Sequence, residues 1–154
     1  MNPDDVVGDY EKSVLTLHGD IKRTVFYTEQ EIPYPEGKLI VSRTDLAGII
    51  THVNSSFVEM SGYTKDELIG APHSILRHPD MPSAAFKDLW DTIRNQCKWQ
   101  GYVKNLRKDG AYYWVKAVVI PNVRNGKAVG YTSVRRKPSR NKIKESIDLY
   151  STLN

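Results

Sequence analysis

Arg77, His78 and Asp80 set a fixed cation, a switchable imidazole and a carboxylate within four positions. They lie in one stretch, His73 to Trp90, that begins polar and ends as an amphipathic segment carrying a tryptophan. Pro79 and Pro82 pin the backbone between the two halves and disfavour helix just before each of them. A surface loop has little use for such a density of hydrogen-bonding groups. A pocket for a polar, anionic, flat ligand has a clear use for it. Asp80 also admits a structural role, capping the helix that follows Met81.

The elements that must position this stretch are legible on both sides of it. Downstream, Phe86, Leu89, Trp90 and Ile93 form the apolar stripe of a helix beginning at about Pro82, a first-turn position where proline is favoured. Upstream, Leu39 to Ser42 and Ile49 to Val53 read as a strand pair around the turn chemistry of Thr44 to Gly48. Asn54 or Ser55 caps a following helix with Phe57, Val58 and Met60 on its apolar face. Thr64 to Glu67 reads as a capping box opening a single helical turn.

The last third is antiparallel β. Lys98 to Lys108, Ala111 to Ile120 and Ala128 to Arg136 are three strands joined by Asp109-Gly110 and Asn125-Gly126 turns. Alternation places Trp99, Gly101, Val103 and Asn105 on one face, and Tyr113, Val115, Ala117 and Val119 on the inward face of the neighbouring strand. Trp114, Lys116, Val118 and Ile120 then point outward. Asn105 is the polar exception on an apolar face, and a buried amide must be paired. The expected fold class is α+β: a five-stranded antiparallel sheet with short helices covering one face.

The 154 residues fit one domain with short appendages. The net charge of +4, from 22 basic and 18 acidic residues, is too mixed to indicate nucleic acid. The one dense basic run, Arg135-Arg136-Lys137-Pro138-Ser139-Arg140, reads as a solvated linker. A single cysteine, Cys97, excludes an intrachain disulfide and is compatible with a reducing cytoplasm. No apolar run approaches the ~20 residues that span a bilayer, and no secretory signal opens the chain. Residues 1–36 read as an N-terminal cap, with Tyr10, Val14, Leu17 and Ile21 at the spacing of a short amphipathic helix and Thr24 to Tyr27 extended. Residues 37–137 form the main domain. Residues 138–154 form a C-terminal linker and signalling helix, the helix running from Asn141 to Leu153 with Ile143, Ile147 and Tyr150 on one narrow stripe, suited to a partner helix or to packing across the sheet.

These residues resemble a PAS domain, and specifically the flavin-binding PAS domain of bacterial aerotaxis receptors. The resemblance covers about Glu36 to Lys137. It is carried by Thr44-Asp45, Ile50-Thr51-His52 with Asn54 and Phe57, and Ser61-Gly62-Tyr63. It continues through Gly70-Ala71-Pro72-His73, the Arg77-His78-Pro79-Asp80-Met81-Pro82 run, Ala85-Phe86 and Trp90. It closes on Trp99, Lys104-Asn105, Arg107 to Gly110, Tyr113-Trp114-Val115, Pro121 and Gly130-Tyr131. The resemblance implies FAD held non-covalently between the helical layer and the sheet. It implies that Arg77, His78 and Asp80 hold or order the cofactor, that Asn54, His73 and Trp90 lie at the pocket, and that Asn105 sits near the edge of the ring.

The residue chemistry agrees in part. The guanidinium of Arg77 suits a diphosphate or carboxylate, Trp90 offers a flat stacking face, and His78 can change protonation beside a reduced ring. The implied function is a cytoplasmic redox or oxygen sensor, not an enzyme, acting as a homodimer on a HAMP- or chemotaxis-type partner. Three other readings stay open on the same fold. One is a haem gas sensor ligated by His73 or His78, and one is a light-oxygen-voltage photoreceptor, for which Cys97 is misplaced. The third is a cofactor-free dimerisation module.

Overall fold

The computed structural model describes residues 1–17 and 20–153. Two strands, β1 (Glu11–Thr16) and β2 (Lys22–Tyr27), pair antiparallel as an N-terminal hairpin. The expected helix over this region does not form, and residues 18 and 19, which it also included, lie outside the described residues. The hairpin buries Leu15 and Val25 against Leu106. Tyr10, Val14 and Ile21, the expected helical stripe, remain exposed. The pairing of two strands that bury Leu15 and Val25 therefore wins over a lone helix whose stripe has no surface to cover. The chain after the hairpin runs along the main domain, with Ile32 N–H bonded to Tyr112 O at 2.7 Å and Tyr112 N–H to Gln30 O at 3.0 Å.

The main sheet contains β3 (Ile40–Thr44), β4 (Ile50–Val53), β5 (Trp99–Leu106), β6 (Tyr112–Arg124) and β7 (Lys127–Arg136). Its spatial order is β4-β3-β7-β6-β5, antiparallel throughout. Asp45 makes the β3–β4 turn by accepting bonds from Ala47 N–H and Ile49 N–H at 2.9 and 3.0 Å. The expected α+β architecture is present, with strand ends shifted by a few residues.

Between β4 and β5 lie α1 (Ser55–Ser61), α2 (Lys65–Leu68), a 3-10 turn at His73–Leu76, and α3 (Ser83–Arg94). Asn54 caps α1 through Phe57 N–H at 3.0 Å, and Thr64 and Glu67 form a reciprocal capping box at α2. Pro82 is the residue before α3 rather than its first turn, because its backbone is extended at ψ 146°. The core joins both layers through Phe57, Leu68 and Leu76 from the helices and Ile40, Ile50, Tyr113 and Val115 from the sheet, all essentially buried.

The outer face of the sheet is partly covered. Helix α4 (Arg140–Ser151) crosses it, and Tyr150 stacks on Trp114 with centroids 6.4 Å apart and planes at 13°. The Tyr150 hydroxyl donates to Tyr102 O at 2.6 Å. Trp114 points outward as its strand position requires, yet it is buried by this contact. Ile143 is buried on the same helix and Ile147 is not. Among the described residues no helix is long and apolar enough to cross a membrane.

Candidate functional site

Between α3 and the inner face of β3, β7, β6 and β5 lies a cavity of about 650 Å³. The size matches sites for small molecules and cofactors. The cavity follows from how α3 sits. Of its apolar stripe only Ile93 is fully buried, while Phe86, Leu89 and Trp90 are half-buried because they line the cavity. The end of the N-terminal hairpin, through Thr16, Leu17 and Ile21, contributes to one side.

Four of the seven expected site residues line this cavity: His73, Arg77, Trp90 and Asn105. Trp90 packs edge-on to Tyr131, with Arg94 over its ring at 4.9 Å. It also fills the space beside Gly48, where a β-carbon would lie 3.0 Å from the indole and the backbone has φ +83°. On the opposite wall Trp99 lies across Gly101, where any β-carbon would come within 2.4 Å of the ring. The Trp99 Nε1–H donates to Asp88 Oδ2 at 2.9 Å, tying the sheet to α3.

Arg77 leaves the 3-10 turn in extended backbone and forms a single antiparallel bridge with Asn105 of β5. Its guanidinium lies 4.6 Å over Phe86 and donates to Ser83 Oγ at 3.1 Å. Burial lowers its pKa, and its Nε is buried without a partner. Asn105 is 4% exposed, and its Nδ2 is likewise buried without a partner.

His73 lies edge-on to Phe57, and its Nε2 is 2.6 Å from Arg135 Nη2. An arginine only donates, so that nitrogen is the acceptor and the ring is neutral. Burial and then the Arg135 charge push the His73 pKa down to about 3.

Asn54, His78 and Asp80 stand elsewhere. Asn54 Oδ1 accepts from Phe57 N–H and from Val41 N–H at 3.1 Å, and its Nδ2 donates to Leu39 O at 2.8 Å, so this side chain clamps α1 to β3. The extended backbone at Arg77 sends the next side chain the opposite way. His78 is therefore packed edge-on against Tyr27 and Tyr112, away from the cavity lining. Its Nδ1 accepts from Asp80 N–H at 3.0 Å. Burial, then the nearby Lys104 charge, push its pKa down to about 3. Asp80 does not cap α3; its carboxylate pairs with Lys104 Nζ at 2.7 Å. Burial raises the Asp80 pKa, but the Lys104 hydrogen bond and charge outweigh it and the net shift is downward.

One residue of the site escaped sequence reasoning. Arg135, read as part of a solvated basic run, is 3% exposed and lines the cavity. Its Nη2 donates to Ser42 Oγ at 3.1 Å as well as to His73. The signal was period 2: Tyr131, Ser133 and Arg135 share the buried face of β7. The other charged members of the run are at the surface as expected, with Lys137 and Arg140 paired to Glu36 and Glu31, while Pro138 between them is buried.

The lining is strongly cationic. Arg77, Lys87, Arg94 and Arg135 face one carboxylate, Asp91, which Lys87 already engages at 2.6 Å. Among the described residues no group of His, Cys, Asp and Glu is arranged to hold a metal ion.

Residues 50–135 match the family model described as the PAS fold. The aerotaxis receptor of Escherichia coli (strain K12) is 46% identical over 129 residues, covering 84% of this chain and 26% of that protein. The chain thus spans about a quarter of that relative's length. The solved PAS domain of a protein from Colwellia psychrerythraea is 28% identical with a TM-score of 0.60, over 66% of this chain and 87% of that one. The blue-light photoreceptor Aureochrome1 LOV in its light state has a TM-score of 0.66 at 22% identity, over 73% of this chain and 91% of that one, and shares the fold. With the family model spanning more than half its length, with this sheet order and helical layer, the chain belongs to the PAS-fold family and carries a PAS domain of the aerotaxis-receptor type.

Proposed function

We propose that this chain is a flavin-binding sensory module that holds FAD non-covalently between α3 and the sheet and reports the redox state of the cell. The carrying observation is the character of the cavity. Its walls are aromatic, its lining charge is positive, and Asn105 Nδ2 and Arg77 Nε are buried polar atoms without partners in the protein. Buried polar groups are ordinarily hydrogen-bonded, and a flat heteroaromatic ring with an anionic tail offers acceptors for both. The residues present therefore fit the cofactor. Trp90 and Trp99 provide flat faces, Asn105 reads an edge of the ring, and Arg77, with Lys87 and Arg94, suits the diphosphate. A bound flavin supplies reversible electron uptake, with a change of charge and protonation at its ring.

The chain's own residues provide a route for that change. Asn105 is bridged to Arg77 in the helical layer. One strand position before it, Lys104 holds Asp80. Further along β5, Tyr102 accepts the α4 hydroxyl bond. A shift at Asn105 thus reaches both the helical layer and α4. On this reading residues 1–36 cover the edge of the domain, residues 37–137 sense, and residues 138–154 carry output to a HAMP- or chemotaxis-type partner from a cytoplasmic homodimer. The relative named an aerotaxis receptor supports a sensor rather than an enzyme.

The haem and photoreceptor readings have less support. The Nε2 of His73 is already engaged by Arg135, and no other histidine among the described residues lines the cavity. Cys97 is exposed and off the lining.

The visible spectrum of the purified protein tests the proposal. A yellow protein with two flavin bands, releasing stoichiometric FAD on denaturation, is expected. A colourless protein that takes up no added FAD would overturn it.

A further inference from the structure

Among the described residues Arg135 is the most deeply buried arginine, lysine or carboxylate, and it has no opposite charge beside it. The residue is 3% exposed, and the hydrogen-bond partners of its guanidinium are the neutral groups Ser42 Oγ and His73 Nε2. Nη1 is buried without a partner. Among the described residues no carboxylate forms an ion pair with it, and the one carboxylate on the cavity lining, that of Asp91, is already paired with Lys87. Phe57 lies under the guanidinium at 5.1 Å, an aromatic face that positions the group without neutralising it. Buried cations persist when something pairs with them, because an isolated charge in a low-dielectric interior is costly. Arg135 stands on the cavity wall, so the pairing group belongs to whatever the cavity binds.

We infer that Arg135, anchored by Ser42 and His73, recognises an anionic edge of the cavity's ligand and, for a flavin, supplies the countercharge to the reduced ring. This rests on the flavin reading and sharpens it. Full reduction adds two electrons to the ring. If only one proton accompanies them, one negative charge remains, and a cation beside the ring favours that state. In the test below, the electrons come from an electrode through mediator dyes.

The surroundings keep the charge fixed across the working range. His73 on the 3-10 turn is neutral, with its pKa at about 3. Tyr113 on β6 has its phenol pushed up to about 12 by burial, and burial also raises that of Tyr34. Arg135 itself is lowered by burial only to about 10. None of these groups changes charge between pH 6 and pH 9, so a pH-dependent potential in that window reports protons taken up by the ring.

The experiment is spectroelectrochemical titration of the FAD-loaded protein, wild type, Arg135→Lys and Arg135→Gln. Removing the charge should weaken retention of the reduced form relative to the oxidised form by about tenfold, which is about 30 mV for a two-electron couple. Arg135→Lys should keep most of the wild-type potential. An unchanged potential in a folded, flavin-loaded Arg135→Gln protein overturns the inference and leaves the flavin reading standing. Should that variant fail to fold, the wild-type protein answers alone. A ring kept anionic by Arg135 takes up fewer protons than electrons even at the acid end of the window, near pH 6, where a reduced flavin free in water takes up both protons, so there its potential falls by clearly less than about 59 mV per pH unit, the value for equal numbers. A slope at that value overturns the inference. A wild-type protein that takes up no flavin overturns both.

Discussion

The backbones of Arg77 and Asn105 are joined by a single antiparallel bridge that ties the helical layer to the edge strand of the sheet. Each of these residues lines the cavity and carries a buried nitrogen without a partner. Their neighbours Asp80 and Lys104 are paired by an ion pair outside the cavity lining. The bridge therefore separates two chemistries within a few residues: a ligand-facing side and a structural side built on His78, Asp80 and Lys104.

Arg77, on the ligand-facing side, and Asn54, which clamps α1 to β3, should show opposite phenotypes although the resemblance places both at the cofactor. Arg77→Ala removes a cation from the cavity and one hydrogen bond to Ser83. It should weaken FAD retention tenfold or more and shift the melting temperature little. Asn54→Ala removes the α1 cap and two bonds to the segment at β3. It should cost about 2 kcal/mol of stability, with FAD affinity recovering at low temperature where the fold is retained. Flavin content and thermal unfolding, measured on both variants, separate the roles. Normal flavin content in Arg77→Ala would count against its assignment.

Two histidines make the fold sensitive to mild acid. His73 and His78 are held neutral at pKa values of about 3, against about 6.5 in an unfolded chain. The unfolded state therefore binds more protons below pH 6.5. Their stabilising contribution is complete above that pH and is lost as the pH falls from 6.5 toward 3. Each histidine then contributes a slope approaching 1.4 kcal/mol per pH unit. Urea unfolding should show a loss of about 2 kcal/mol between pH 7 and pH 5.5, and His78→Gln should show about half that dependence. Stability that stays flat over this range would mean that the folded protein accepts the protons.

Helix α4 is held by a small number of groups, so one substitution should free it. Tyr150→Ala removes the stack on Trp114 and the bond to Tyr102. These contribute about 1 kcal/mol each. Amide exchange in residues 140–151 should accelerate while β6 and β7 stay protected. Protection unchanged in α4 would show that Ile143 and the Arg140–Glu31 pair hold the helix without the tyrosine.

The sequence by itself determined the main sheet, the caps of α1 and α2 and the turns, because each is set by neighbours. Asn54 and Phe57, Thr64 and Glu67, and Asp45 and Ile49 are three or four residues apart, within reach of a single turn of chain. It also determined the inward face of β5 and β6, because alternation is fixed by the backbone. Only the tertiary structure decided which members of the polar stretch face a ligand. Arg77 and His78 are adjacent, and the direction each points depends on an extended residue bridged to Asn105, twenty-eight positions away. The same holds for the N-terminal hairpin, whose pairing is favoured by the surface that Leu106 offers to Leu15 and Val25. It holds also for Arg135, whose place in a basic run hides a buried cation. Whether a charge is solvated or enclosed depends on which strands flank it, and those strands come from distant parts of the chain.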